Sequence, residues 1–164
     1  MADFYAFALA LVLISVAVAI HFQALRGLSG IQDRLTVSGP LKILLVIFGL
    51  IIAHIFEAGA FAGGYAFGER VLHLGSFVGA ARMSASQLFY FSIEAFTTQG
   101  VGDVYPVGPL RLIASLEPLA GLILIGWSGS FTFLAMRLDW RLAPRTMEPD
   151  DAAPLPPRPS TPRS

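Results

Sequence analysis

The sequence predicts an all-α membrane protein with three spanning helices and one re-entrant helix. Three observations predict it. Hydrophobic residues make up 55 % of the chain and charged residues 13 %, with no cysteine, and the mean hydropathy is +0.68; most of such a chain takes lipid as its solvent. Its apolar residues gather into long stretches, and crossing a hydrocarbon core of about 30 Å takes roughly 20 helical residues. A further apolar run, 88–96, is too short to span yet lies between two stretches that do.

Residues 4–22 carry no formal charge and are rich in Leu, Val, Ala and Ile, which predicts the first span, with His21 at its end. Ala17-Val18-Ala19 imitates a leader cleavage site, but the residues before the run carry Asp3 and no Lys or Arg, so a span is the better reading. Residues 23–39, with Arg26, Asp33, Arg34, Gly27, Gly30 and Gly39, read as a polar connector, and Pro40 suits the first turn of the next helix. The second span starts at Leu41 and is expected to end between 56 and 61, with His54 and Glu57 near that end. Residues 64–83 show no sustained period and read as an exposed Gly-rich loop, with room for a short helix.

Ser84 with Gln87 three residues later makes a capping box, which predicts a helix over 84–97 that enters the membrane and turns back. Pro109 opens the third span, which runs to about Met136 and contains Glu117, Pro118, Gly121, Gly126 and Gly129. The tail, 141–164, is rich in Pro and poor in apolar surface, and reads as disordered. The chain thus divides into an N-terminal helix with its connector (1–39), a central membrane domain (40–140) and the tail (141–164).

The formal charge is zero but unevenly placed. Arg26, Arg34 and Lys42 lie between the first two apolar stretches, and Arg137, Arg141, Arg145, Arg158 and Arg163 follow the last one. Positive residues stay cytoplasmic, so the N-terminus and the loop before the third span face outward in a cytoplasmic, multi-pass membrane.

The segment after the re-entrant helix carries the functional reading. A cation leaving water loses tens of kcal/mol of solvation, of order, unless oxygen ligands replace its shell. Consecutive carbonyls of one strand point the same way only if alternate residues take left-handed backbone geometry, which glycine does at least cost. Gly100 and Gly102 have that spacing, and Thr98 adds a hydroxyl. One strand is a fraction of a cage, so a closed ring of identical chains is implied, four being the natural number. The re-entrant helix points its negative C-terminal end toward the same path.

Residues 89–107, Phe-Tyr-Phe-Ser-Ile-Glu-Ala-Phe-Thr-Thr-Gln-Gly-Val-Gly-Asp-Val-Tyr-Pro-Val, resemble the pore helix and filter of potassium channels, whose signature is Thr-Val-Gly-Tyr-Gly-Asp. His54-x-x-Glu57, 116–121 and Gly126-Trp127-Ser128 extend the likeness to small bacterial ion channels with one extra N-terminal helix, over roughly 50–137. The resemblance implies a homotetrameric potassium-channel pore in a lipid bilayer. Its filter ligands would be the carbonyls of Thr98, Gln99, Gly100 and Val101 with the Thr98 hydroxyl, ending at Gly102. Glu94, Thr97 and Asp103 would support the filter, Glu94 pairing with Asp103 through a proton or water, and Pro118 and Gly121 would mark the inner-helix bend. Gln99 stands where the family has Val or Ile, and Val101 where it has an aromatic. Both bear on selectivity, so the permeant ion is expected to be potassium, with a sodium-permeable or non-selective pore as the alternative and a non-conducting scaffold as another.

His54 and Glu57 share a helix face and suggest half a metal site, but no second Glu-x-x-His follows. A polar contact inside the subunit, with Glu117 as partner, is the better reading. No cofactor or bound metal beyond the permeant cation is expected. No catalytic triad or phosphate-cradling loop occurs and the basic residues form no stripe, so neither an enzyme nor a nucleic-acid binder is indicated.

Overall fold

The computed structural model describes residues 1–34, 36–79 and 82–139. The tail reading of 141–164 lies outside them. Three helices are long and apolar enough to cross a membrane: α1 (Ala2–Arg34), α2 (Gly39–Arg70) and, after the short helix α3 (Ala85–Phe96), α4 (Leu110–Asp139).

The first connector is much shorter than the sequence suggests, because 23–34 are helical. No proline interrupts them, and Gly27 and Gly30 each cost a helix only about 1 kcal/mol, which their Gln, Ala, Leu and Arg neighbours absorb. At 33 residues, α1 is about 50 Å long, well beyond a hydrocarbon core. Pro40 does sit in the first turn of α2.

Helix α2 likewise outruns its expected end, and the loop predicted over 64–83 begins only after Arg70. The glycines there are not punctuation. A side chain at Gly64 would overlap Leu13 of α1, so the residue serves close helix approach. Leu13 over Gly64, His21 against Glu57 and Leu28 over Gly49 mark the antiparallel register of α1 and α2. Helix α1 also packs on α4.

A two-stranded antiparallel ribbon, β1 (Ser76–Val78) with β2 (Tyr105–Val107), joins the segment before α3 to the segment before α4, with Phe77 opposite Pro106. The sequence does not foretell it, since three residues are too few to display a two-residue period. The Phe77 ring meets Tyr65 of α2 and Phe91 of α3 edge-on at 5.7 and 5.1 Å, which fixes the ribbon over the helices.

Helix α3 matches its prediction. Ser84 Oγ accepts from Gln87 N–H, and Gln87 Oε1 accepts from Ser84 N–H at 2.9 Å. Its buried face, Leu88, Ser92 and Phe96, lies in a core shared with Phe61, Leu74 and Ile113. Its C-terminus rests on α4 at Gly121, where a Cβ would overlap the Phe96 carbonyl oxygen. Backbone cannot step aside as a side chain can. Gly121→Ala is therefore expected to cost about 1–3 kcal/mol, read as a lower thermal midpoint of the purified protein; an unchanged midpoint would show that α4 does not need this contact.

Candidate functional site

Helix α3 ends at Phe96, and its carbonyls turn the chain into the next segment: Thr98 N–H donates to Ala95, and Gln99 and Gly100 N–H donate to Glu94, at 3.0, 2.8 and 3.3 Å. The backbone then alternates. Thr98, Gly100 and Gly102 have φ of 62°, 52° and 82°, the left-handed geometry expected at the two glycines and, beyond that expectation, at Thr98. A threonine held at positive φ is uncommon and marks local strain. Among the described residues no backbone hydrogen bond ends on a carbonyl of 97–103, and all seven residues are exposed in the single chain. Thr97 is held by its helix instead, its Oγ1 donating to the Ile93 carbonyl at 2.7 Å.

Behind this segment, Glu94, Asp103, Gln87 and Tyr90 line a cavity of about 230 Å³. The carboxylates expected to act together thus face one space, while Asp103 Oδ1 accepts from Val104 N–H at 2.8 Å. On the other side, Thr98, Gly100, Gly102 and Pro118 line a second space of about 370 Å³ between α3 and α4. The ion channel family matches residues 41–137, from the start of α2 almost to the end of α4. The chain belongs to the ion channel family. No curated protein and no solved structure matches it. The matched region of this ion channel holds α2, α3, the exposed segment and α4, and leaves α1 outside.

Two buried polar networks tie the channel's helices together, and they differ from the single contact the sequence suggests. Glu117 does not meet His54 or Glu57. It is fully buried, and Tyr65 Oη of α2 donates to its Oε2 while Ser92 Oγ of α3 lies beside its Oε1, both at 2.5 Å. Ser92 Oγ also lies 2.7 Å from the Ala58 carbonyl. The reason is register. Because α2 and α4 run antiparallel, Glu117 faces Tyr65 while His54 faces Ser128, and the eleven residues between these levels are about 16 Å of helix.

The second network includes a residue the sequence reading left aside. His21 of α1 places Nδ1 2.9 Å from Glu57 Oε1, and His54 places Nδ1 2.8 Å from Glu57 Oε2 and Nε2 2.9 Å from Ser128 Oγ. His21 and Glu57 are fully buried. The His21 ring stacks on His54 at 5.4 Å and lies 5.3 Å from Trp127, which meets the cluster with one side of its ring and is otherwise exposed. The His54 ring lies 5.8 Å from Phe96 at the end of α3. The signal that could have found His21 is its position in the α1–α2 hairpin, hidden by the expected long connector.

Proposed function

We propose that this ion channel is a homotetramer that passes potassium passively through a filter built from the carbonyls of Thr98, Gln99, Gly100 and Val101 and the Thr98 hydroxyl. One observation carries the reading: left-handed geometry alternates at Thr98, Gly100 and Gly102 along a segment whose carbonyls have no protein partner among the described residues. Unpaired backbone at membrane depth is tolerated only where it lines a cavity or is covered by protein. Copies arranged about an axis supply both conditions, and four such strands replace the hydration shell of a cation. The C-terminal end of α3 adds its negative dipole at the inner end of the filter.

Glu94 and Asp103 support the filter from the cavity they share, through a proton or a water. In α4, Pro118 removes the hydrogen bond to the Ala114 carbonyl one turn before the fixed point at Gly121 and is the place for a gating bend. The end of α1 with Arg26 and Arg34, the start of α2 with Lys42 and the end of α4 face the cytoplasm and the N-terminus faces out, in the cell membrane. The protein conducts and is not an enzyme.

A sodium-permeable pore is the second reading, favoured by Val101, which is 59 % exposed where the family's aromatic packs. Single-channel recording of the purified protein in bilayers with potassium on one side and sodium on the other separates the two. A reversal potential displaced toward that of potassium is expected, and one near zero would give the site to an unselective pore. Absence of any current from correctly assembled protein would make it a scaffold.

A further inference from the structure

The His21–Glu57–His54 cluster lies outside the ion path and plays no part in the conduction just described. Its ligand-capable atoms all fall within 4.8 Å of one another. Read as hydrogen bonds alone, the cluster is incomplete in two respects. The Glu57 carboxylate is fully buried, and among the described residues its ion-pair partners are the two histidines, with no Lys or Arg beside it. His21 is fully buried too, yet its Nε2 has no partner. The first is costly, and a cation beside Glu57 supplies what the carboxylate lacks; the second is separate, since a cation on Nδ1 leaves Nε2 as it is.

We propose that His21, His54 and Glu57 form an intramembrane site for a divalent transition-metal cation of the zinc class. Two imidazole nitrogens and one carboxylate oxygen are a ligand set this class takes, with the fourth position left to water. Ligands about a tetrahedral ion of this kind stand about 3.3 Å apart at its usual bond lengths of about 2.0 Å. The two histidines reach different oxygens of Glu57, His21 at 2.9 Å to Oε1 and His54 at 2.8 Å to Oε2, so an ion between the rings takes both oxygens or draws one of them toward the second histidine; the ligand atoms already lie within 4.8 Å of one another. The outer contact is present as well: with His54 Nδ1 on the metal, its Nε2–H donates to Ser128 Oγ at 2.9 Å, which orients the ring. The side chain of His54 is 21 % exposed whereas the other two ligands are closed off, so His54 is the open edge of the site.

The position gives the site a consequence. His21 belongs to α1, outside the matched channel region, whereas His54 and Glu57 belong to α2, Ser128 to α4, and the His54 ring touches Phe96 at the end of α3. A bound metal fastens the extra helix to the pore module at one point. The inference does not depend on which ion the filter passes.

The test uses the full chain, purified in detergent, stripped with a chelator and titrated with cobalt(II). One cobalt per chain is expected, with the intense visible absorption of a four-coordinate centre and a raised thermal midpoint. His21→Gln and Glu57→Gln should lose the bound cobalt, Ser128→Ala should weaken it about tenfold or more, and His73→Gln should bind as wild type. Cobalt that keeps its weak aqueous spectrum, or that binds equally to wild type and His21→Gln, overturns the site and leaves a hydrogen-bonded contact. Should the variants fail to assemble, X-ray absorption on the cobalt-loaded wild type decides: two imidazoles and a carboxylate support the site, and any other ligand set refutes it.

Discussion

Gly102→Ala leaves the channel assembled and removes its current. The added methyl meets no clash within the chain, the nearest atom being the Gly100 carbonyl oxygen at 3.9 Å. Packing is therefore untouched. What changes is the backbone, since φ at this position is 82°, a geometry that costs an L-residue about 1–2 kcal/mol. In the proposed tetramer four copies act on one ion path, and the conducting arrangement then loses about 4–8 kcal/mol. At about 1.4 kcal/mol per tenfold, cation flux into liposomes falls by roughly a thousandfold or more. Flux within a few-fold of wild type would mean that carbonyl orientation at 102 is not what conducts.

Glu117→Ala has the largest expected effect on stability. The carboxylate holds Tyr65 Oη and Ser92 Oγ, and all three residues are fully buried. Truncation strands the tyrosine hydroxyl completely, while Ser92 keeps the Ala58 carbonyl. A buried polar group left without its partner costs about 1–3 kcal/mol, and the emptied volume adds about as much again. Thermal melting of the purified protein should show a fall of several degrees for Glu117→Ala and a smaller one for Glu117→Gln, whose amide keeps an acceptor for Tyr65. Equal midpoints for Ala and Gln would remove the network from the forces holding α3 between α2 and α4.

The spans, helix α3 and the left-handed backbone at Gly100 and Gly102 were legible because each depends on local chemistry: apolar runs of membrane length, the Ser84–Gln87 capping box, and glycines at alternate positions. Their side-to-side pairing was not, because it depends on where helices end. Reading 23–39 as connector puts the turn of the first hairpin too early, which sets His21 opposite the start of α2 and away from Glu57. Once α1 is carried to Arg34, with α2 beginning at Gly39, His21 and Glu57 come level. The same consideration separates Glu117 from His54, since both lie in membrane spans but at different depths. Left-handed Thr98 was illegible for another reason: no propensity favours threonine there, and only the surrounding structure holds it.

The most direct test of the conduction site is a crystal structure of the purified protein in thallium(I), a potassium substitute with strong anomalous scattering. Anomalous peaks are expected on a four-fold axis, between the planes of the carbonyls of Thr98, Gln99, Gly100 and Val101. Peaks absent from that axis, or copies that do not close around these carbonyls, would contradict the assignment of 98–102 as the ion path.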